Sequence, residues 1–481
     1  MEILNIKKIN KDLVVLVIGK VLQVIISLLA IRLLTTYLMP EELGNYYLLL
    51  TLLTFLNFTL LSPVSQYYGR HVILWKSSGN LSSATAVLFC CIVFGGVLTM
   101  LISNVLYHLF DYSTYYSVST FSLFVFISFL AGSVKVLLDS NNILGYRIYF
   151  VKYTLYILIL GLLSSVFFIK LFSATGIAWL YGVAFSQILF FLPVCKKNFA
   201  EDKVNYYKLK EKINYTELRK VIVYIFPLTI ALLLQWGQNS SYRIIVETKY
   251  TVDALAYIAV GLAIASSIFY AIEGIITPYF MPDYLKRIIT VSKLERAEEW
   301  NRLANSVLPI YLFLVFYVVF SSPFLLKILV SDKYSDVYIY VAIGALIEFF
   351  RVTSNVINLV SLSELKTKST ILPYFIGVFS LVVALYFSDV GDSLWIIPLY
   401  LAFSYLLITI TLFINMKKLL AIKLPIIGWV KASFLSLPFI CFLAFDSEKN
   451  IILSCLLVFL FGLYFIFISY LVFFKNKVLK V

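Results

Sequence analysis

The chain has 481 residues, of which 62% are hydrophobic and only 13% charged, with a net charge of +14. Soluble domains carry about one quarter charged residues, so this balance excludes a water-soluble fold. Hydrocarbon offers backbone N–H and C=O groups no partner, so only helices and closed barrels cross it, and the uncharged, non-alternating run from Ile451 to Phe474 removes the barrel.

A crossing helix needs about 20 apolar residues. Runs near that length follow one another as Leu13–Leu34, Tyr46–Val64, Ala84–Leu106, Val118–Leu138, Tyr153–Ile169, Ala174–Val194 and Val221–Trp236. The second set is Ala254–Ile276, Val307–Leu329, Val337–Leu359, Ile371–Phe387, Leu394–Ile414, Ile426–Phe445 and Ile451–Phe474. The sequence therefore predicts an all-α polytopic membrane protein of about fourteen spans. No small-residue cleavage site follows Leu34, so the first span reads as a retained helix rather than a signal peptide.

Short cytoplasmic loops are enriched in Lys and Arg. With the N-terminus inside, only Lys170, Arg243, Lys249, Lys327, Lys333 and Lys449 fall outside, while Lys20, Arg32, Lys135, Arg351 and Lys431 fall within spans. The remainder of the 39 basic residues gather on the inner side, and acidic residues do not share the bias. Both termini are expected in the cytoplasm, and the positive charge is topological, so no nucleic-acid partner is needed to explain it. Leu285, Ile288, Ile289 and Leu294, interspersed with Lys286, Arg287, Lys293 and Arg296, read as a surface-lying amphipathic helix or a solvated connector.

A weak internal repeat sets Glu41, Leu43 and Gly44 against Asp253, Leu255 and Ala256. It divides the chain into an N-terminal lobe 1–195 (spans one to six), a basic cytoplasmic linker 196–220, a C-terminal lobe 221–415 (spans seven to twelve), and a C-terminal helix pair with basic tail, 416–481. Pro40, Glu41 and Glu42 read as a helix start, with carboxylates at the positive end of the dipole, and Gly44 permits close helix contact.

The first span ends Ile31, Arg32, Leu33, Leu34, and Met39, Pro40, Glu41, Glu42, Leu43, Gly44, Asn45 and Tyr46 follow; Tyr67, Tyr68, Gly69 and Arg70 close the second. These stretches resemble the Wzx-type polysaccharide flippases of the multidrug, oligosaccharidyl-lipid and polysaccharide exporter superfamily. The resemblance implies a flippase, not an enzyme. Its substrate would be an undecaprenyl-pyrophosphate-linked oligosaccharide, O-antigen or a similar repeat unit, moved from the cytoplasmic to the periplasmic leaflet of a bacterial inner membrane by alternating access between two lobes. Membrane lipids, a coupling proton or cation and polysaccharide polymerase machinery are the further partners it implies. A multidrug antiporter of the same superfamily is the alternative. A membrane glycosyltransferase or polymerase fits less well, because the outer loops are short.

A charge inside a span costs a few kcal/mol near the centre, so each needs a reason. Lys20, Gln23 and Ser27 share one face of the first span, and Lys20 either lines a cavity or snorkels inward. Arg32 either snorkels outward or, as the resemblance favours, faces the cavity. Arg70 either reaches a pyrophosphate or anchors its helix. In the tenth span Glu348, Arg351, Asn355 and Asn358 recur at spacings of three and four, forming a polar face in which Glu348 and Arg351 can pair. Gln235, Asn239 and Tyr242 stripe the seventh span, and Tyr270, Glu273 and Thr277 the eighth. Arg32 and Arg351, with Lys20 and Arg70 behind them, are the expected pyrophosphate ligands. Gln235, Asn239 and Asn355 are further cavity candidates, and Glu273 and Glu348 are ion-coupling candidates. Lys135 and Asp139 have the spacing of a local pair. Two histidines, His71 and His108, and five cysteines without CxxC spacing offer no metal site, and no cofactor is expected.

Overall fold

The computed structural model describes residues 2–109, 117–199, 215–288, 291–364, 366–389, 391, 393–447 and 450–474. Within them the chain is helical without a strand, and fourteen helices are long and apolar enough to cross a membrane, as the sequence predicts. Residues 200–214 of the expected linker and the basic tail 475–481 lie outside the described residues.

In chain order the helices are α1 (Glu2–Tyr37), α2 (Pro40–Ser77), α3 (Leu81–Leu109), α4 (Val118–Ile143), α5 (Arg147–Leu171), α6 (Gly176–Phe199) and α7 (Tyr215–Lys249). They continue as α8 (Val252–Ile288), α9 (Lys293–Leu329), α10 (Tyr338–Ser363), α11 (Ile371–Phe387), α12 (Ile396–Leu419), α13 (Ile426–Ala444) and α14 (Ile451–Ile468). Several outrun the apolar runs that announce them, α2 at 38 residues and α8 and α9 at 37 each. A helix does not stop where hydrophobicity stops, since water equally allows its backbone to close on itself.

Two departures from regular helix lie beside a proline. Pro63 has no N–H to return to the preceding turn, and α2 widens into a π-helical stretch, Asn57–Leu61, just before it. In α13 the α-helix Ile426–Leu435 gives way to the 3-10 helix Leu437–Ala444, with Pro438 in its first turn. The amphipathic segment predicted around residues 285–296 is not a separate helix. α8 runs through Ile288 and α9 starts afresh at Lys293, where the Ser292 side chain and Glu295 form a capping box. Arg296 instead holds Glu364 through two hydrogen bonds of 2.7 and 3.2 Å, tying the start of α9 to the end of α10.

The helices group into two compact units, residues 1–26 with 45–236, and residues 27–44 with 237–481. In the first unit α5 and α6 approach so closely that a Cβ on Gly182 would meet the backbone of Ser165. There the Ser164 hydroxyl donates to Gly182 O at 2.7 Å and the Ser165 hydroxyl to Trp179 O at 2.8 Å. Between lipid-bathed helices, packing and such hydrogen bonds replace the hydrophobic drive, so small residues mark the contact. On α3, Val93, Phe94, Val97, Leu101 and Val105 make an exposed apolar stripe of the kind lipid solvates.

In the second unit α10 packs against α8, α9 and α12. Gly44, at the start of α2, abuts Val252 at the start of α8 without room for a Cβ, the close contact that the sequence suggests. The last two helices pack on α9, where Phe313 stacks on Phe465 at 5.3 Å and Tyr317 donates to Val458 O at 3.0 Å. Gly182→Ala should cost about 1–3 kcal/mol through overpacking against backbone that cannot yield. Gly69→Ala, whose Cβ would meet only the tip of Ile143 at 3.2 Å, should cost little. Thermal unfolding of the two variants in detergent checks this; equal midpoints would show that the α5–α6 contact is not tight.

Candidate functional site

α8 and α10 run side by side and parallel. Gly344 sits opposite Ala265, with 2.9 Å available for a Cβ, and that contact aligns the next two turns of each helix. There the polar stripes read separately from the sequence meet. Arg351 donates from Nη2 to Glu273 Oε2 at 2.8 Å across the helices, and from Nε to Glu348 Oε2 at 2.6 Å along its own helix. Its guanidinium lies 4.4 Å from the ring centroid of Tyr270, and Asn355 Nδ2 donates to Glu273 Oε1 at 3.4 Å. The side chain of Arg351 is 12% exposed, Glu348 10% and Glu273 23%, so the more accessible carboxylate is the one from the other helix.

Two carboxylates on one guanidinium leave a formal surplus of one negative charge when all are ionised. Charge-assisted hydrogen bonds compensate part of the desolvation, and the stacked ring adds cation–π attraction. A cleft of ≈ 130 Å³ adjoins the cluster, lined by Glu273, Thr277, Tyr311 and Asn355 among apolar neighbours. α7 and α12 extend the polar network within the same unit: Tyr405 donates to Asn239 Oδ1, and buried Gln238 donates to Ser404 Oγ at 2.6 Å. Ser354 and Thr409 share a hydrogen bond of 2.9 Å between α10 and α12.

The structure thus brings Glu273, Glu348, Arg351 and Asn355 together and links Asn239 to the buried Tyr405 near them. The other candidates have contacts of their own. Lys20, in the first unit, donates to Gln23 Oε1 at 3.2 Å and interacts electrostatically with Lys135 and Asp139. Gln235, half-buried, belongs to that unit as well. Arg70 is exposed, 5.5 Å from the ring centroid of Tyr224 on α7. Arg32, in the second unit, keeps one guanidinium nitrogen, Nη1, buried without a hydrogen-bond partner. Among the described residues no group of three or more His, Cys, Asp or Glu is placed to hold a metal ion.

Sequence reasoning overlooked Gln238, Ser404 and Tyr405. The signal present was the spacing of Tyr405 and Thr409 on a mostly apolar span, too sparse to stand out from chance. Arg351→Ala should leave two carboxylates facing each other without a cation and destabilise the protein by about 3–5 kcal/mol. Adding Glu273→Gln and Glu348→Gln to that variant should recover much of the loss. Unfolding midpoints measure both effects, and an unaltered midpoint for Arg351→Ala would mean that the cluster is not paired.

No protein-family model matches the sequence, and no curated protein matches it. Solved structures match over most of the chain. One is the lipid II flippase MurJ in an inward closed conformation, 14% identical, with a TM-score of 0.62 over 95% of this chain and 98% of that one. Another is an inward-facing multidrug resistance transporter of the MATE family, 12% identical, TM-score 0.57, covering 86% of this chain and 94% of that one. The eukaryotic MATE transporter AtDTX14 is 10% identical, TM-score 0.58, covering 89% and 97%. The chain therefore shares the helical fold of these solved structures, of which the inward-facing MATE transporter is described as a member of the MOP superfamily.

Proposed function

We propose that the protein is a flippase for an oligosaccharide linked to a polyprenyl pyrophosphate, such as undecaprenyl pyrophosphate, and that it works by alternating access. The observation that carries this reading is Arg32, whose half-buried guanidinium keeps a buried nitrogen without a partner. Such a group in a low-dielectric setting calls for an anion, and a pyrophosphate supplies paired oxygens that match the planar fork. Lys20 and Arg70 are proposed to assist, and Gln235, Asn239 and Asn355 to hydrogen-bond the glycan. Likeness in fold to a lipid II flippase supports the reading without naming the glycan.

In this proposal spans one to six and seven to twelve are two lobes, residues 196–220 link them, and the last two spans are an addition. The basic bias of the loops supports a bacterial inner-membrane setting with both termini in the cytoplasm. O-antigen or a related surface polysaccharide would be the end product, with the polymerase machinery taking over the flipped unit. Glu273 and Glu348 are proposed to exchange a coupling proton or cation, because they supply more negative charge than Arg351 neutralises.

That same surplus of carboxylate favours a second reading, export of cationic drugs, as named for the MATE-family neighbour. The two readings separate cleanly. Loss of the protein should stop surface polysaccharide and leave lipid-linked units in the cytoplasmic leaflet, with drug susceptibility unchanged. Arg32→Ala should lower export at least roughly tenfold, the worth of one charged hydrogen bond, and Arg32→Lys should retain part of it. Accumulation of leaflet-trapped units measures the effect at matched protein level. Wild-type export by a well-expressed Arg32→Ala, or an altered drug profile with normal polysaccharide, would reject the flippase reading.

A further inference from the structure

The cluster on α8 and α10 holds one more carboxylate than its cation requires. Glu348 lies one turn from Arg351 on the same helix, is the less exposed of the two acids, and already neutralises the guanidinium through Nε. Glu273 comes from a different helix, is about twice as exposed, and takes Nη2, so it can leave without dismantling the pair on α10. Its second oxygen accepts a long hydrogen bond from Asn355, at 3.4 Å. The cleft of ≈ 130 Å³ beside it, which Glu273 and Asn355 line, leaves space next to the carboxylate. A carboxylate and a phosphate present the same thing to a guanidinium, two oxygens at hydrogen-bonding spacing.

We infer that Glu273 is a built-in stand-in for phosphate: it masks Arg351 in this state, and a phosphoanhydride gains that cation only by displacing it. This rests on the flippase reading and adds to it the regulation of one cationic residue. The mask has a physical reason. With Glu348 on Nε, the half of the guanidinium that carries Nη2 would still be a poorly hydrated donor without an acceptor when no substrate is bound, and Glu273 supplies that acceptor. Arg351 then differs from Arg32, whose Nη1 has no hydrogen-bond partner among the described residues. The sequence places both among the candidate ligands, but only one of them is held in reserve.

The test uses the full-length protein in lipid nanodiscs, titrated calorimetrically with inorganic pyrophosphate and, separately, with farnesyl pyrophosphate. Glu273→Gln removes the competing charge and should tighten both probes by at least roughly tenfold, the worth of one charged hydrogen bond. Adding Arg351→Ala should abolish that gain. Asn355→Ala, which only loosens the mask, should give a smaller gain in the same direction and serves if Glu273→Gln does not fold. Unchanged or weaker binding in these variants overturns the inference, as does a gain that survives the loss of Arg351. A gain confined to farnesyl pyrophosphate also overturns it, because the effect would then belong to the lipid chain. Failure of the flippase reading looks different: export would be unaffected by loss of the protein while Glu273→Gln still gained affinity for both probes.

Discussion

Everything in this molecule follows from the absence of water as a partner for polar atoms. The backbone answers by closing into helices, and the side chains answer locally. Hydroxyls turn back onto carbonyls of the preceding turn, as Thr51 does to Tyr47 O at 2.8 Å and Ser306 to Arg302 O at 2.7 Å. What cannot be satisfied within one helix must be satisfied by a neighbour at close range. That is why Gly182 sets the spacing where Ser164 and Ser165 bridge α5 and α6.

The α8–α10 pair shows how this constraint becomes chemistry. A close, parallel contact near Gly344 fixes the register, and the register brings the carboxylate of one helix to the guanidinium of the other. Neither helix alone could host its charged residues at low cost; together they trade three expensive burials for one nearly balanced cluster. The balance is incomplete by one charge, and the proposed function turns on that imbalance.

The sequence made the fold legible because hydropathy is a local property: an apolar run of span length has only one plausible fate in hydrocarbon. The polar faces of α8 and α10 were legible for a similar reason, since Glu348, Arg351 and Asn355 repeat with the helical period. Their meeting was not, because Glu273 and Arg351 are 78 residues apart and nothing in either stripe states which helix lies opposite. The sequence places Arg351 beside Arg32 as a pyrophosphate ligand, and the carboxylate from α8 sets the two apart. The ends of α2, α8 and α9 were also hidden, as polarity marks the edge of hydrocarbon and not the edge of a helix.

The π-helical stretch in α2 has a consequence beyond accommodating a proline. A π-turn takes up one residue more than regular helix needs, so everything after it is rotated by about 100° relative to an uninterrupted helix. Tyr67 and Arg70 both follow Asn57–Leu61, and both meet Tyr224 on α7. Their aim is therefore set by a counting irregularity two to three turns upstream as well as by their own neighbourhood. A homologous chain lacking one residue in that stretch would have the same composition and very nearly the same length of span, yet would turn a different face of α2 toward α7.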